Sequence, residues 1–260
     1  MTKISIIGCG WLGNALAVRF LSSGFDVVGS TTSLTKLEPL KEMGIAPVVY
    51  TLGMPIPSAL LISEIVIINI PPRGNYLQGL EELCSSLKSE TWVIFVSSSS
   101  VYENTNTDVY ENDAKDFPSP HTGISLLKAE NVFFESPLDT TIVRLAGLFG
   151  PNRHPGKFLA NKENIAGANN PVNMIHLDDC VGIIHKIIES NSRNEIFNAC
   201  ATAHPTKKLF YTEASKSLNL QPPKFNDQES PFKIINSDKL KSVLDYKFNH
   251  PDPIKALKSI

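Results

Sequence analysis

The sequence predicts an α/β fold, a doubly wound parallel sheet with a small C-terminal lobe. Three observations carry this reading. Residues 3–7, 64–70 and 92–96 are apolar runs too continuous for strands with one wet face, so they suit a sheet covered on both sides. Segments of helical period alternate with those runs; residues 76–88 place Leu77, Leu80, Leu83, Cys84 and Leu87 on one stripe. Between the first strand and the first helix stands Gly8-Cys-Gly10-Trp-Leu-Gly13.

That glycine spacing has physical content. Gly8 permits the tight turn off the strand, and Gly10 lets the backbone approach a pyrophosphate. Gly13 lets the helix over residues 14–21 lie close to the sheet. Trp11, Leu12 and Gly13 lead into that helix and are expected at the cofactor, because the helix's amides and positive dipole end attract phosphate. A Rossmann-type fold with a bound nicotinamide dinucleotide is the expectation.

The second strand, residues 25–30, runs into Thr31-Thr32-Ser33, and Ser33 is the expected N-cap of a helix reaching about residue 43. An NAD site usually has Asp or Glu at the end of this strand to bind the ribose 2′-hydroxyl. Asp26 lies at the other end, and Ser30, Thr31, Thr32 and Lys36 stand in its place. Hydroxyls and an amine accept a 2′-phosphate that a carboxylate repels, so NADP is preferred over NAD.

Residues 46–50 read as a third strand and 64–70 as a fourth, which Pro71-Pro72-Arg73-Gly74 terminates because proline cannot continue a ladder. Ile70, Pro71 and Pro72 are expected against the adenosine side of the cofactor, with Arg73 near a phosphate or substrate charge. The fifth strand ends in Ser97-Ser-Ser-Ser100, followed by Val101-Tyr102. Ser97 is expected at the cofactor. Such hydroxyls can also donate to a carbonyl or hydroxyl beside the nicotinamide ring, which makes Ser98 a catalytic candidate and Ser99 and Tyr102 substrate candidates.

Beyond the serine run, residues 140–145 form a sixth strand ending near Arg144, and residues 147–172 are a long loop rich in Gly, Pro and Asn. A helix follows over 177–190 with Val181, Ile184 and Ile188 on its stripe, then another over 206–218. Residues 233–236 suit a short edge strand, and Ser237 suits the cap of a helix to about 244.

Four stretches resemble the extended short-chain dehydrogenase/reductases, the nucleotide-sugar epimerase and dehydratase group. These are the serine run with Val101-Tyr102, Arg144-Leu-Ala-Gly-Leu-Phe-Gly-Pro151, Asn173-Met-Ile-His-Leu-Asp-Asp179 and Glu195-Ile-Phe-Asn198. Residues 6–13, 144–158 and 203–205 further resemble the atypical, YeeZ-like branch of that superfamily, so the likeness runs over nearly the whole chain. The resemblance implies an NAD(P)-binding domain and an oxidoreductase or epimerase/dehydratase-like activity on a small carbonyl or sugar nucleotide.

One part of the family apparatus is missing. Its enzymes use Tyr-x-x-x-Lys after the serine strand, often with a Glu four residues beyond the Lys. Anchoring on Glu130 puts Leu126 and Thr122 at the Lys and Tyr positions, while anchoring on Lys128 puts Ile124 at the Tyr position. Ser98 matches the family's catalytic Ser/Thr. Thr122 and His121 are the candidates to replace the phenol, and Arg144, His154 and Asn173 join the substrate candidates. The competing expectation is a catalytically silent NADP-binding sensor or interaction module. A β-hydroxyacid-type dehydrogenase shares the glycine opening but lacks the serine-strand and Asn-x-Ile-His-x-Asp-Asp segments.

The expected division is residues 1–147 plus 173–195 for the dinucleotide-binding domain and 148–172 plus 196–260 for the substrate-facing lobe. Lys and Arg total 24 against 26 for Asp and Glu, a net charge of −2 that argues against a nucleic-acid partner. No apolar run reaches the ~18 residues of a membrane span, and the first strand is too short for a signal peptide. Cys9, Cys84, Cys180 and Cys200 are isolated, which suits a reduced, cytoplasmic setting without disulfides. No pair of histidines has metal-ligand spacing with a supporting carboxylate, so no metal is expected. A monomer or homodimer is expected.

Overall fold

A computed structural model describes residues 2–115 and 123–260. Eleven strands lie among the described residues: β1 Lys3–Ile7, β2 Asp26–Thr31, β3 Ala46–Val49, β4 Ile65–Ile68, β5 Trp92–Ser98, β6 Asp108–Val109, β7 Thr140–Leu145, β8 Gly147–Phe149, β9 Met174–His176, β10 Ile196–Ala199 and β11 Ile234–Ile235. The α-helices are α1 Trp11–Ser22, α2 Leu37–Glu42, α3 Ser58–Leu61, α4 Tyr76–Ser86, α5 Ile124–Phe134, α6 Gly156–Leu159, α7 Leu177–Glu189, α8 Lys207–Ser217, α9 Asp238–Leu244 and α10 Pro253–Ala256.

Seven strands form one sheet in the order β10-β7-β5-β4-β1-β2-β3. The registers of β1 with β2 and β4, of β2 with β3 and of β4 with β5 are all parallel. Order reverses beside β1, which creates the crevice where doubly wound folds bind ligands. Ile65–Ile68 is buried at every position, as its unbroken apolar run requires.

Contacts divide the chain into two units. The first comprises residues 1–101, 115–144 and 184–197; the second comprises 102–114, 145–183 and 198–260. Residues 102–114 and 173–183, grouped with the dinucleotide domain by pattern, fall in the second unit. The reason is pairing: β6 runs parallel to β11, and β8 runs parallel to β9. Phe149, Val172, Met174, Phe210 and Leu257 form a hydrophobic cluster in that unit.

Several local expectations are corrected. Ser33 makes no side-chain cap; a 3-10 turn over Leu34–Lys36 precedes α2. Ser237 does not cap α9 either, because its hydroxyl accepts from the Cys200 amide at 3.0 Å. Residues 234–235 pair with β6 rather than edging the main sheet. The long loop contains β8 and α6. Ile196–Ala199 is a seventh sheet strand that the four-residue motif at 195–198 had hidden. Helix α7 buries Cys180, Ile183, Ile184 and Ile187, one residue around from the expected stripe.

Candidate functional site: a dinucleotide cleft at the glycine turn

Three glycines make the turn after β1 for three separate reasons. Gly8 has φ +105°, and a Cβ there would stand 2.3 Å from the Asn69 carbonyl oxygen. At Gly13 a Cβ would meet the Gly8 carbonyl oxygen at 2.2 Å, so the close approach this glycine permits is to the turn itself. A Cβ on Gly10 would meet nothing within 4 Å. The space over Gly10 is therefore open on the side where a pyrophosphate would approach.

Hydrogen bonds hold the turn from behind. The Gly8 amide donates to Ser30 Oγ at 3.0 Å, the Cys9 amide to the Ser30 carbonyl at 2.8 Å, and Asn69 Nδ2 to the Gly8 carbonyl at 3.2 Å. Helix α1 starts at Trp11 with no side-chain cap and no acidic residue in its first turn, so its N-terminal field is not neutralised from within. Asn14 Oδ1, in that helix, is buried and has no hydrogen-bond partner among the described residues. The Cys9 thiol is pushed up to about 12 by burial, so this cysteine is a packed thiol beneath Gly29.

In front of the turn lies a cleft of about 340 Å³. Of the residues expected at the cofactor, Gly8, Gly10, Ser30, Thr31, Thr32, Lys36, Ile70 and Pro71 line it. Arg73 does so as well, and Tyr50, Thr51, Leu52, Asn69 and Tyr76 complete the wall. Among the described residues, no Asp or Glu lines the cleft. The hydroxyls have separate duties. Ser30 braces Gly8, and Thr31 Oγ1 accepts from the Ser33 amide at 3.3 Å. Thr32 and Lys36 are exposed at the rim. Tyr76 reaches back to donate to the Ile70 carbonyl at 3.2 Å.

Trp11, Leu12, Gly13 and Pro72 do not line this cleft. Leu12 is a buried core side chain, so its contribution to a phosphate is through its amide. Ser97 needs a firmer correction: its hydroxyl is buried and donates to Glu130 Oε1 at 2.5 Å. Arg144, read as a substrate contact, is also buried and held by Glu130. Ser98, half-buried, accepts from the Ser100 amide at 3.1 Å, which uses a lone pair and not its proton. Ser99 is buried. His121 and Thr122 lie outside the described residues. Leu126 is buried in α5, and Lys128 is exposed on the far side of that helix, in a groove with Cys84 and Leu138.

In the second unit, Tyr102 is buried and donates to Asn198 Oδ1 at 2.6 Å. His154 accepts from the Gly156 amide at 3.0 Å and meets Ser217 at 3.3 Å, and burial lowers its pKa. Both side chains are engaged in internal hydrogen bonds. Asn173 donates to the Lys233 carbonyl and accepts from the Ile235 amide, both at 2.9 Å. It also lines a hollow of about 320 Å³ with Asn170, Lys207, Tyr211, Phe232 and Lys233, in which no carboxylate takes part among the described residues. Burial lowers the Lys233 pKa, and its ammonium donates to the Tyr102 carbonyl at 2.5 Å.

Sequence reasoning missed Asn69, Tyr50 and Tyr76 at the cleft. Asn69 left one signal, a polar residue closing an otherwise apolar strand run; the two tyrosines left none.

Comparison with known proteins agrees with this geometry. Residues 3–125 match the family described as the NAD binding domain of 6-phosphogluconate dehydrogenase, a span that holds the glycine turn and β1 to β6. Protein YeeZ of Escherichia coli (strain K12) is 32% identical over 271 residues, covering 98% of each chain. A functionally unknown conserved protein from Silicibacter pomeroyi DSS superposes with TM-score 0.83 at 18% identity over 99% of this chain and 97% of its own. MoeE5, solved with UDP-glucose and NAD, does so with TM-score 0.81 at 17% identity over 99% and 96%. Those two likenesses show the fold. The full-length match carries more: the chain belongs to the family of Protein YeeZ, and its residues 3–125 match an NAD binding domain.

Proposed function

We propose that the protein is an NADP-preferring oxidoreductase or epimerase/dehydratase-like enzyme whose proton-transfer group differs from the family's Tyr-x-x-x-Lys pair. One observation supports the reading above others: an intact glycine turn opens onto a cleft with Lys36 and Arg73 in its wall and, among the described residues, no carboxylate. The residues fit a dinucleotide, since the Gly10 side is open and the α1 terminus is uncapped. The first-turn amides of α1 would bind the pyrophosphate, Ile70 and Pro71 would flank the adenine, and Thr32, Lys36 and Arg73 would meet a 2′-phosphate. When bound, the nicotinamide would supply hydride transfer. Among the described residues the Ser98 hydroxyl accepts one amide and meets no acceptor, which would leave its proton to orient a carbonyl or hydroxyl.

For the substrate we propose an anionic small molecule with a carbonyl or sugar, a sugar nucleotide being one class. The support is the cationic, aromatic hollow around Lys207, Lys233, Tyr211 and Phe232, together with the UDP-glucose bound by MoeE5, which shares the fold. Calorimetry with NADPH and NADH tests the first part. Oxidation or reduction of the nicotinamide, followed by absorbance across carbonyl compounds and sugar nucleotides, tests the second, and Ser98→Ala should abolish turnover. A second reading, a silent NADP-binding sensor, is favoured by Leu126, which is buried and takes the lysine position in the register anchored on Glu130. Tight NADPH binding with no turnover on any substrate would select it.

A further inference from the structure

We propose a second site, independent of the dinucleotide cleft: a divalent transition-metal centre formed by His176, Asp178 and His250. Asp178 Oδ2 lies 3.4 Å from His176 Nδ1 and 3.1 Å from His250 Nε2. One ligand atom from each of the three residues falls within 4.8 Å of the others. A tetrahedral ion with arms of about 2.0–2.1 Å has ligand-to-ligand edges of about 3.3 Å. The two carboxylate edges are close to that length, and the imidazole nitrogens lie within 4.8 Å of each other, so an ion would draw the two rings into a new relative position. The fourth position would go to water, as in open sites of this type. Two imidazoles and a carboxylate suit zinc, cobalt or nickel, and not calcium or magnesium.

The hydrogen bonding around His176 points to a missing cation. Its ring is buried. Nδ1 faces both the Asp178 amide, at 3.2 Å, and the Asp178 carboxylate. With the proton on Nδ1 the ring opposes that amide. With it on Nε2 the lone pair accepts that amide but also faces a carboxylate oxygen at 3.4 Å, so each tautomer leaves one repulsive contact at Nδ1. An ion at the lone pair resolves the conflict in exchange for the long amide contact.

The third ligand is held independently. Buried Asp179 accepts the Asn249 amide at 2.7 Å and the His250 amide at 3.0 Å, and takes the Tyr246 hydroxyl at 3.1 Å. Those bonds present the His250 ring 3.9 Å from the His176 ring, centroid to centroid. The three ligands come from the end of β9, the first turn of α7 and the loop after α9. An ion would therefore tie the C-terminal loop of the second unit to α7.

Chelator-stripped full-length protein tests the proposal with Zn²⁺ in calorimetry and Co²⁺ in visible absorption. One equivalent of Zn²⁺ should bind, Co²⁺ should give the d–d bands of a tetrahedral N/O site, and Zn²⁺ should raise Tm. His250→Gln and Asp178→Asn, whose folding melting curves would verify, should each weaken binding by about tenfold or more and remove the Tm rise. Absence of Zn²⁺ heat and Co²⁺ bands in folded wild-type protein would overturn the assignment. So would wild-type affinity in either variant.

Discussion

Arg144 Nε lies 3.0 and 3.2 Å from the two carboxylate oxygens of Glu130, and its Nη2 lies 2.7 Å from Oε2, with both side chains buried. Ser97 adds its hydroxyl to the same carboxylate at 2.5 Å. The strand end that sequence pattern assigns to chemistry is thus occupied by a closed ion pair joining β5, α5 and β7. Breaking such a pair strands a buried charge, which typically costs about 3–5 kcal/mol. Arg144→Met should lower unfolding free energy by about that amount in urea titrations, whereas Arg144→Met with Glu130→Leu should recover most of it. A substrate contact would behave differently, raising KM at unchanged stability; that result would return Arg144 to the substrate.

Gly10 and Gly13 separate binding from folding. At Gly10, φ is −101° and a Cβ has open space, so Gly10→Ala should change stability by less than about 1 kcal/mol. The added methyl stands where a pyrophosphate would lie, and NADPH affinity should fall about tenfold or more in calorimetry. Gly13→Ala drives a methyl into the Gly8 carbonyl, so it should lose stability by about 1–3 kcal/mol even without cofactor. Equal behaviour of the two variants would contradict the assignment of open and closed sides.

How far the sequence could be read depended on the range of the interaction involved. Gly8, Gly10 and Gly13 announce a turn, and unbroken apolar runs announce buried parallel strands, because both signals are local. Ser97 and Arg144 also stand out locally, yet their roles depend on Glu130, whose burial no spacing reveals. Tyr102 and Asn198 are 96 positions apart and meet only through folding. His250 stands 72 positions beyond Asp178, so histidine spacing was blind to that cluster. Strands β6 and β11 are two residues each, too short for any period to register.

The charge of the cleft wall predicts cofactor choice. Lys36 and Arg73 line it without an accompanying carboxylate among the described residues. Lys36→Glu combined with Arg73→Gln should weaken NADPH by about tenfold or more while leaving NADH within about twofold, measured by calorimetry at low and moderate salt. Because Lys36 is exposed, added salt should narrow the wild-type preference. Parallel losses for both coenzymes would mean that these cations serve the pyrophosphate and not a 2′-phosphate.

Buried histidines set the acid limb of stability. Burial is the largest cause lowering the pKa of His154, His185 and His204 below 6.5. For each, the unfolded chain takes up its proton first as pH falls, so the unfolded state binds more protons and stability rises with pH. The contribution is complete above about pH 7 and is lost as pH falls through 6.5 toward the depressed folded values. Each group can add a slope of at most about 1.4 kcal/mol per pH unit. Tm should therefore drop between about pH 7.5 and about pH 5.5. His154→Asn, which keeps an acceptor for the Gly156 amide, should flatten that drop even if it lowers Tm at the upper end of the range. A steeper pH dependence in the variant would mean that His154 is protonated in the folded protein and that its ring is not the buried brace described.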